Sequence, residues 1–184
     1  MALLLSAAAG GLIVYFFYKP PFIPANHQTA PPQQIPSNAP APASEKKLAH
    51  LYFIGRGNDV LTSEDRVLPH PADTEAFGSL ILNALVEGPL QDFIPTIPKG
   101  ASLRAFFIED SGIAYADFSG HLKENHHGGS EAELLTIYSI VNSLVLNIPE
   151  INMVKILIDG HESTTLAGHL DIRFPLKANM LLIR

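Results

Sequence analysis

The sequence contains no cysteine. This excludes disulfides, thiolate metal sites, a cysteine nucleophile and a lipidated cysteine of the lipobox kind. A cysteine-free exported domain of this size can stand on its own core. Positive charge is scarce as well. All eighteen acidic residues lie from Glu45 onward, against eleven of the twelve lysines and arginines, so this portion carries −7 (eleven minus eighteen). Such a domain repels phosphate backbones, which argues against nucleic acid as a partner. Catalytic signatures are missing too: no HExxH, no GxSxG elbow and no P-loop lysine. Apolar residues, by contrast, are plentiful: 47% of 184, enough for a sizeable core in one domain.

Residues 1–18, MALLLSAAAGGLIVYFFY, carry no charge. As a helix they would extend about 27 Å, close to the thickness of a hydrocarbon core. Tyr15, Phe16, Phe17 and Tyr18 cluster before Lys19 like an interfacial aromatic belt. A cleaved signal peptide would need a basic start and a small-residue cleavage site, and the run has neither. A retained anchor or uncleaved signal is the expectation, with residues 2–18 in the membrane. Lys19 alone would put the downstream residues in the cytoplasm by the positive-inside rule; the other features override it. Residues 19–44 hold eight of the fifteen prolines and read as a semi-rigid proline-rich linker.

Residues 45–184 read as the folded domain. Leu48–Ile54 and Leu61–Leu68 have strand character around the turn Gly55–Asp59. Asp73 is placed to cap a helix over Glu75–Glu87, whose Phe77, Leu80, Ile81, Ala84 and Leu85 fall at helical spacing. Ser102–Ile108 and Ile113–Phe118 flank Glu109–Gly112, a hairpin pattern. After the loop Ser119–Gly129 comes a second helix. Ser130 and Glu133 form a capping-box pattern, and Leu134, Ile137, Tyr138, Val141, Leu144 and Val145 make one apolar stripe. Val154–Ile158 is a strand followed by the turn Asp159–Gly160, with Glu162–Leu166 as its hairpin partner. Ile172–Leu176 and Met180–Ile183 read as edge strands. The order predicts an α+β fold, one mostly antiparallel sheet with two helices packed on it.

The polar residues offer few candidates for chemistry. Among the eight histidines, His121, His126 and His127 cluster in the loop, yet without ligand spacing. Gly128-Gly129-Ser130 opens a helix, but Glu131 and Glu133 in its first turn already complement the dipole and would repel an anion. Five residues stand out as interaction or structural candidates: Asp117 at a strand end, His127 in the loop, Asn142 beside the helix stripe, Asp159 in a turn and His169 after Gly168. Asn142 is expected to be a buried amide pinning neighbouring backbone. No catalytic, metal-binding or cofactor-binding residue is assigned.

The runs Ala114–Phe118 (AYADF), Gly128–Leu144 (GGSEAELLTIYSIVNSL), Ile156–Gly160 (ILIDG) and Thr165–Asp171 (TLAGHLD) together resemble the bacterial GerMN domain, a family named after a spore-germination protein. Leu85–Pro89 (LVEGP) and Ile97–Gly100 (IPKG) resemble its earlier portion, so the likeness covers nearly all of residues 48–177. The resemblance implies an exported or membrane-tethered protein outside the cytoplasmic membrane, on its periplasmic side. It implies a fold similar to the ring-building modules of secretion-type assemblies, and no established catalytic set. Many relatives are lipoproteins or carry two copies; this chain has one copy and no cysteine. The resulting expectation is a non-enzymatic interaction or assembly role at the cell envelope, related to sporulation or germination. Its partners would be envelope or cell-wall-associated proteins or a second copy. The rival is an envelope ligand-binding protein or hydrolase using the Ser119–Gly129 loop.

Overall fold

The computed structural model describes residues 45–57 and 60–184. The expected anchor and linker lie outside these residues. No helix among the described residues is long and apolar enough to cross a membrane. The described residues belong to one compact unit.

Strand β1 spans Lys46–Gly55 and pairs antiparallel with β2, Leu61–Pro69. Ala49, Leu51 and Phe53 alternate into the main core, as a period of two requires. Helix α1 spans Thr74–Glu87 and starts as expected: the Asp73 carboxylate accepts the Glu75 amide at 3.0 Å. It ends at Gly88, whose φ of 92° suits glycine best. Strand β3, Phe93–Ile94, returns to pair with the far end of β1. The hairpin of β4 (Leu103–Ile108) and β5 (Ile113–Phe118) turns through Gly112, φ 82°.

A short helix α2, His121–Glu124, interrupts the expected loop because Leu122 is completely buried. Gly128 and Gly129, both at positive φ, then swing the backbone into α3, Ser130–Val145. Strand β6, Met153–Ile158, lies parallel to β5, and the crossover that parallel pairing demands is supplied by α2 and α3. A two-residue strand β7, His161–Glu162, closes this sheet.

The α+β class and the largely antiparallel pairing hold. The single sheet does not: the strands divide into β2-β1-β3 and β4-β5-β6-β7. The cause lies in α3, which runs along the β1 edge opposite β2 and occupies the hydrogen-bonding groups a further strand would need. Ser139 Oγ donates to the Tyr52 carbonyl at 2.6 Å, and Ser143 Oγ accepts the Tyr52 amide at 3.1 Å. The Asn147 amide side chain accepts from the His50 N–H at 2.9 Å and donates to the His50 carbonyl at 2.8 Å. Residues 139, 143 and 147 are four apart, so the face that carries Ser139 and Ser143 on α3 is continued by Asn147 in the turn just after the helix. One core still joins both sheets, with Leu51 and Phe53 packed in the same cluster as Ala116, Phe118, Val154 and Ile156.

Three expected strands are shorter or absent. Beyond Glu162 the amides of Leu166, Ala167 and His169 turn to the Glu133 carboxylate instead of a ladder. In Ile172–Leu176 Pro175 lacks a donor, and only Leu176 bridges to Val154. Met180–Leu182 is a 3-10 turn, with Asn179 Oδ1 accepting the Leu181 amide at 3.1 Å.

Candidate functional site

Asp117, Asp159, Asn142, His169 and His127 occupy four places. Asp117 and Asp159 come together around Arg104. Arg104 Nε donates to Asp117 at 3.1 Å and Nη1 donates to Asp159 at 2.9 Å. The second Asp117 oxygen accepts the Gly160 amide at 2.7 Å. This clamp holds the β6–β7 turn, where Asp159 itself has φ 52°. Asn142, completely buried, exchanges two hydrogen bonds with the Asn179 backbone, at 2.9 and 3.1 Å. It pins the segment after β7 against α3.

His169 sits with Glu133, the residue sequence reasoning placed elsewhere. The N-cap position of α3 is Gly129 and lacks a side-chain cap, so the Ser130–Glu133 capping box does not form. Glu133 points inward instead and is completely buried. It accepts the amides of Leu166, Ala167 and His169 at 2.8–2.9 Å, and the His169 ring approaches it at 3.1 Å. Burial works to raise its pKa, but the backbone donors outweigh it and hold the carboxyl below its ordinary value.

The other buried charges are engaged in the same manner. Arg66 pairs with Glu64 and donates to the Ala84 and Gly88 carbonyls at the end of α1, at 3.2 and 3.0 Å. The second Glu64 oxygen accepts the amides of Leu90 and Gln91, both at 2.8 Å. Lys155 pairs with Glu162 at 2.9 Å and donates to the Arg173 carbonyl. Among the described residues, no three of His, Asp and Glu gather closely enough to hold a metal ion.

Two candidates lie on cavities: His169 lines a more open hollow of about 420 Å³ with Ser130, Glu131, Leu134 and Leu170, and His127 lines a larger one. A half-open cleft of about 790 Å³ lies between the end of β1, the Ile94–Lys99 segment, the loop after α2 and the first turns of α3. Ile54, Ile94, Pro95, Ile97, Pro98 and Ala132 make it predominantly apolar. Lys99, Asn125, His126, His127, Thr96 and Thr136 supply its polar atoms. His126 is a fixed wall. Its Nδ1 accepts the Gly128 amide at 3.0 Å, which leaves Nε2–H to meet Thr136 Oγ1 at 3.2 Å. Thr136 in turn donates to the Thr96 carbonyl at 2.8 Å. Burial of this ring pushes its pKa below the ordinary histidine value. His126 belonged to the clustered histidines but not to the five candidates, because only the folded segment shows its burial.

A family model described as "Germane: Sporulation and spore germination" matches residues 50–164, well over half of the sequence. The chain belongs to this family. The Germane domain is also recognisable in solved structures. The tandem GerMN domains of the sporulation protein GerM from Bacillus subtilis match with a TM-score of 0.60 and 25% identity, over 72% of this chain and 46% of that one. The first GerMN domain of the same protein matches with a TM-score of 0.54 and 25% identity, over 71% of this chain and 97% of that one. A Clostridium perfringens protein described as a lipoprotein matches at 29% identity and a TM-score of 0.51, over 72% of this chain and 87% of that one. No curated protein matches the sequence. An isolated GerMN domain is thus matched over nearly its whole length, and the described residues of this chain close around one main core.

Proposed function

We propose that this Germane protein is a non-enzymatic docking module of the cell envelope, acting in sporulation or germination. Residues 2–18 tether it as a single-pass anchor, and the domain stands on the outer face of the cytoplasmic membrane. The observation that carries the reading is how the domain uses its polar groups. Glu64, Arg66, Asp117, Glu133 and Lys155, the buried charges among the described residues, all hold backbone or a salt-bridge partner in place. Several large apolar side chains face solvent. Leu48 and Val67 lie opposite each other across β1 and β2 and are 49% and 61% exposed. Phe107 stacks on Tyr115 at 4.5 Å on the outer face of the second sheet. Apolar surface of this kind suits contact with another protein. The family description, the sporulation protein with the same domain and the relative described as a lipoprotein support the process and the tethering.

Crosslinking of the full-length protein in cells, read by mass spectrometry, tests the docking. Specific envelope partners, or a second copy, should be captured by the native protein and reduced several-fold by Leu48→Glu with Val67→Glu. Capture unchanged by these substitutions and by Phe107→Glu would remove the apolar faces from the reading. A reporter fused after Arg184 that works only in the cytoplasm would overturn the location. The rival ligand-binding reading has one observation in its favour, the cleft beside the Ser119–Gly129 loop.

A further inference from the structure

We infer that the cleft between β3 and α3 is a binding site for a small aliphatic carboxylate, a hydrocarbon group with one anionic end. This stands apart from docking through the outer faces of the sheets and would hold if that reading failed. Its volume of about 790 Å³ falls in the range of about 300–1,000 Å³ typical of sites for single small molecules. Its body is built from Ile54, Ile94, Pro95, Ile97 and Ala132, which offer dispersion contacts and no hydrogen bonds, so the matching part of a ligand is hydrocarbon.

Charge settles the other end. Residues 45–184 carry eighteen acidic and eleven basic residues. None of the acidic residues is among the described residues lining the cleft, and Lys99 is the one lysine or arginine among them. One lysine on an apolar cleft in an acidic domain complements one negative charge and repels a cationic amphiphile. The backbone at Lys99 is also anchored. Its carbonyl accepts the Asn125 side-chain amide at 2.8 Å, which fixes the loop while leaving the ammonium in solvent. The His126–Thr136–Thr96 relay keeps the wall rigid, and burial disfavours the charged form of the His126 ring, so hydrocarbon can lie against it.

The test uses residues 45–184 and three ten-carbon probes below their micelle concentrations: decanoate, decanol and decyltrimethylammonium. Binding is read by amide chemical shifts and by calorimetry. Decanoate should bind saturably and shift the amides of Ile94, Ile97, Lys99 and Ala132, with decanol weaker and the ammonium weakest. Lys99→Glu should weaken decanoate about tenfold and leave decanol unchanged, since each factor of ten is about 1.4 kcal/mol. Ile94→Ser, at an exposed position, should weaken both, whereas Leu181→Ser outside the cleft should weaken neither. The native amide spectrum of each variant reports its fold. Equal binding of all three probes, or insensitivity to Lys99→Glu, would overturn the carboxylate. Absence of saturable shifts in the cleft for decanoate would overturn the site.

Discussion

Glu133 gathers three backbone amides with one buried carboxylate, and its removal leaves those donors facing apolar surroundings. Glu133→Ala should therefore cost about 3 kcal/mol or more in urea denaturation, and Glu133→Gln somewhat less, because an oxygen remains to accept. Since its pKa is lowered in the folded state, its contribution is full above the unfolded value near 4.5 and is lost as pH falls through the lower folded value. His126 acts in a higher window. Its folded pKa is also lowered, so the unfolded state takes up the proton first. The stability it supplies is present above pH 6.5 and declines as pH drops towards the folded value. Urea midpoints measured from pH 7.5 to 5 should fall for the native domain and fall less for His126→Asn. An equal slope in both would remove His126 from this pH dependence; Glu133 and His127 are the charged neighbours that act on its ring.

At the scale of elements, α3 and the turn that follows it close the edge of β1 with side chains. Edge strands invite pairing with other molecules, and covering them is the usual remedy. Here the cover is Ser139, Ser143 and Asn147, each bonded to main chain of β1. Asn147→Ala strands both the N–H and the carbonyl of His50 and should destabilise by about 2–4 kcal/mol. Ser143→Ala affects only the Tyr52 amide and should cost about half as much. Hydrogen exchange at His50 and Tyr52 distinguishes this from a general loss of packing: protection at these two amides should drop before that of α1. The helical apolar stripe was legible because periodicity reports burial directly. The serines and asparagine also follow a spacing of four, but Ser and Asn at helical spacing occur on solvated faces as well. Only the position of β1 makes these ones internal.

At the scale of the whole molecule, two sheets share one core, so they should unfold together. In residues 45–184 carrying Tyr115→Phe and Tyr138→Phe, far-ultraviolet circular dichroism, which follows both sheets and helices, and the fluorescence of Tyr52, which packs from β1 against Leu135 of α3, should give coincident urea transitions. Separate midpoints would mean that β1-β2-β3 melts independently. Residue order was enough to specify the α+β class, the helices α1 and α3, the β4–β5 hairpin, the acidic charge and the family. These depend on local periodicity, capping, turn glycines and composition, which act within a few residues. The division into two sheets, the inward turn of Glu133, the Glu64–Arg66 pair at the end of α1 and the cleft beside His126 emerged only on folding. Each depends on groups far apart in sequence meeting at hydrogen-bond distance. A buried polar side chain takes whichever backbone group the fold leaves unpaired, and no local pattern specifies which group that is.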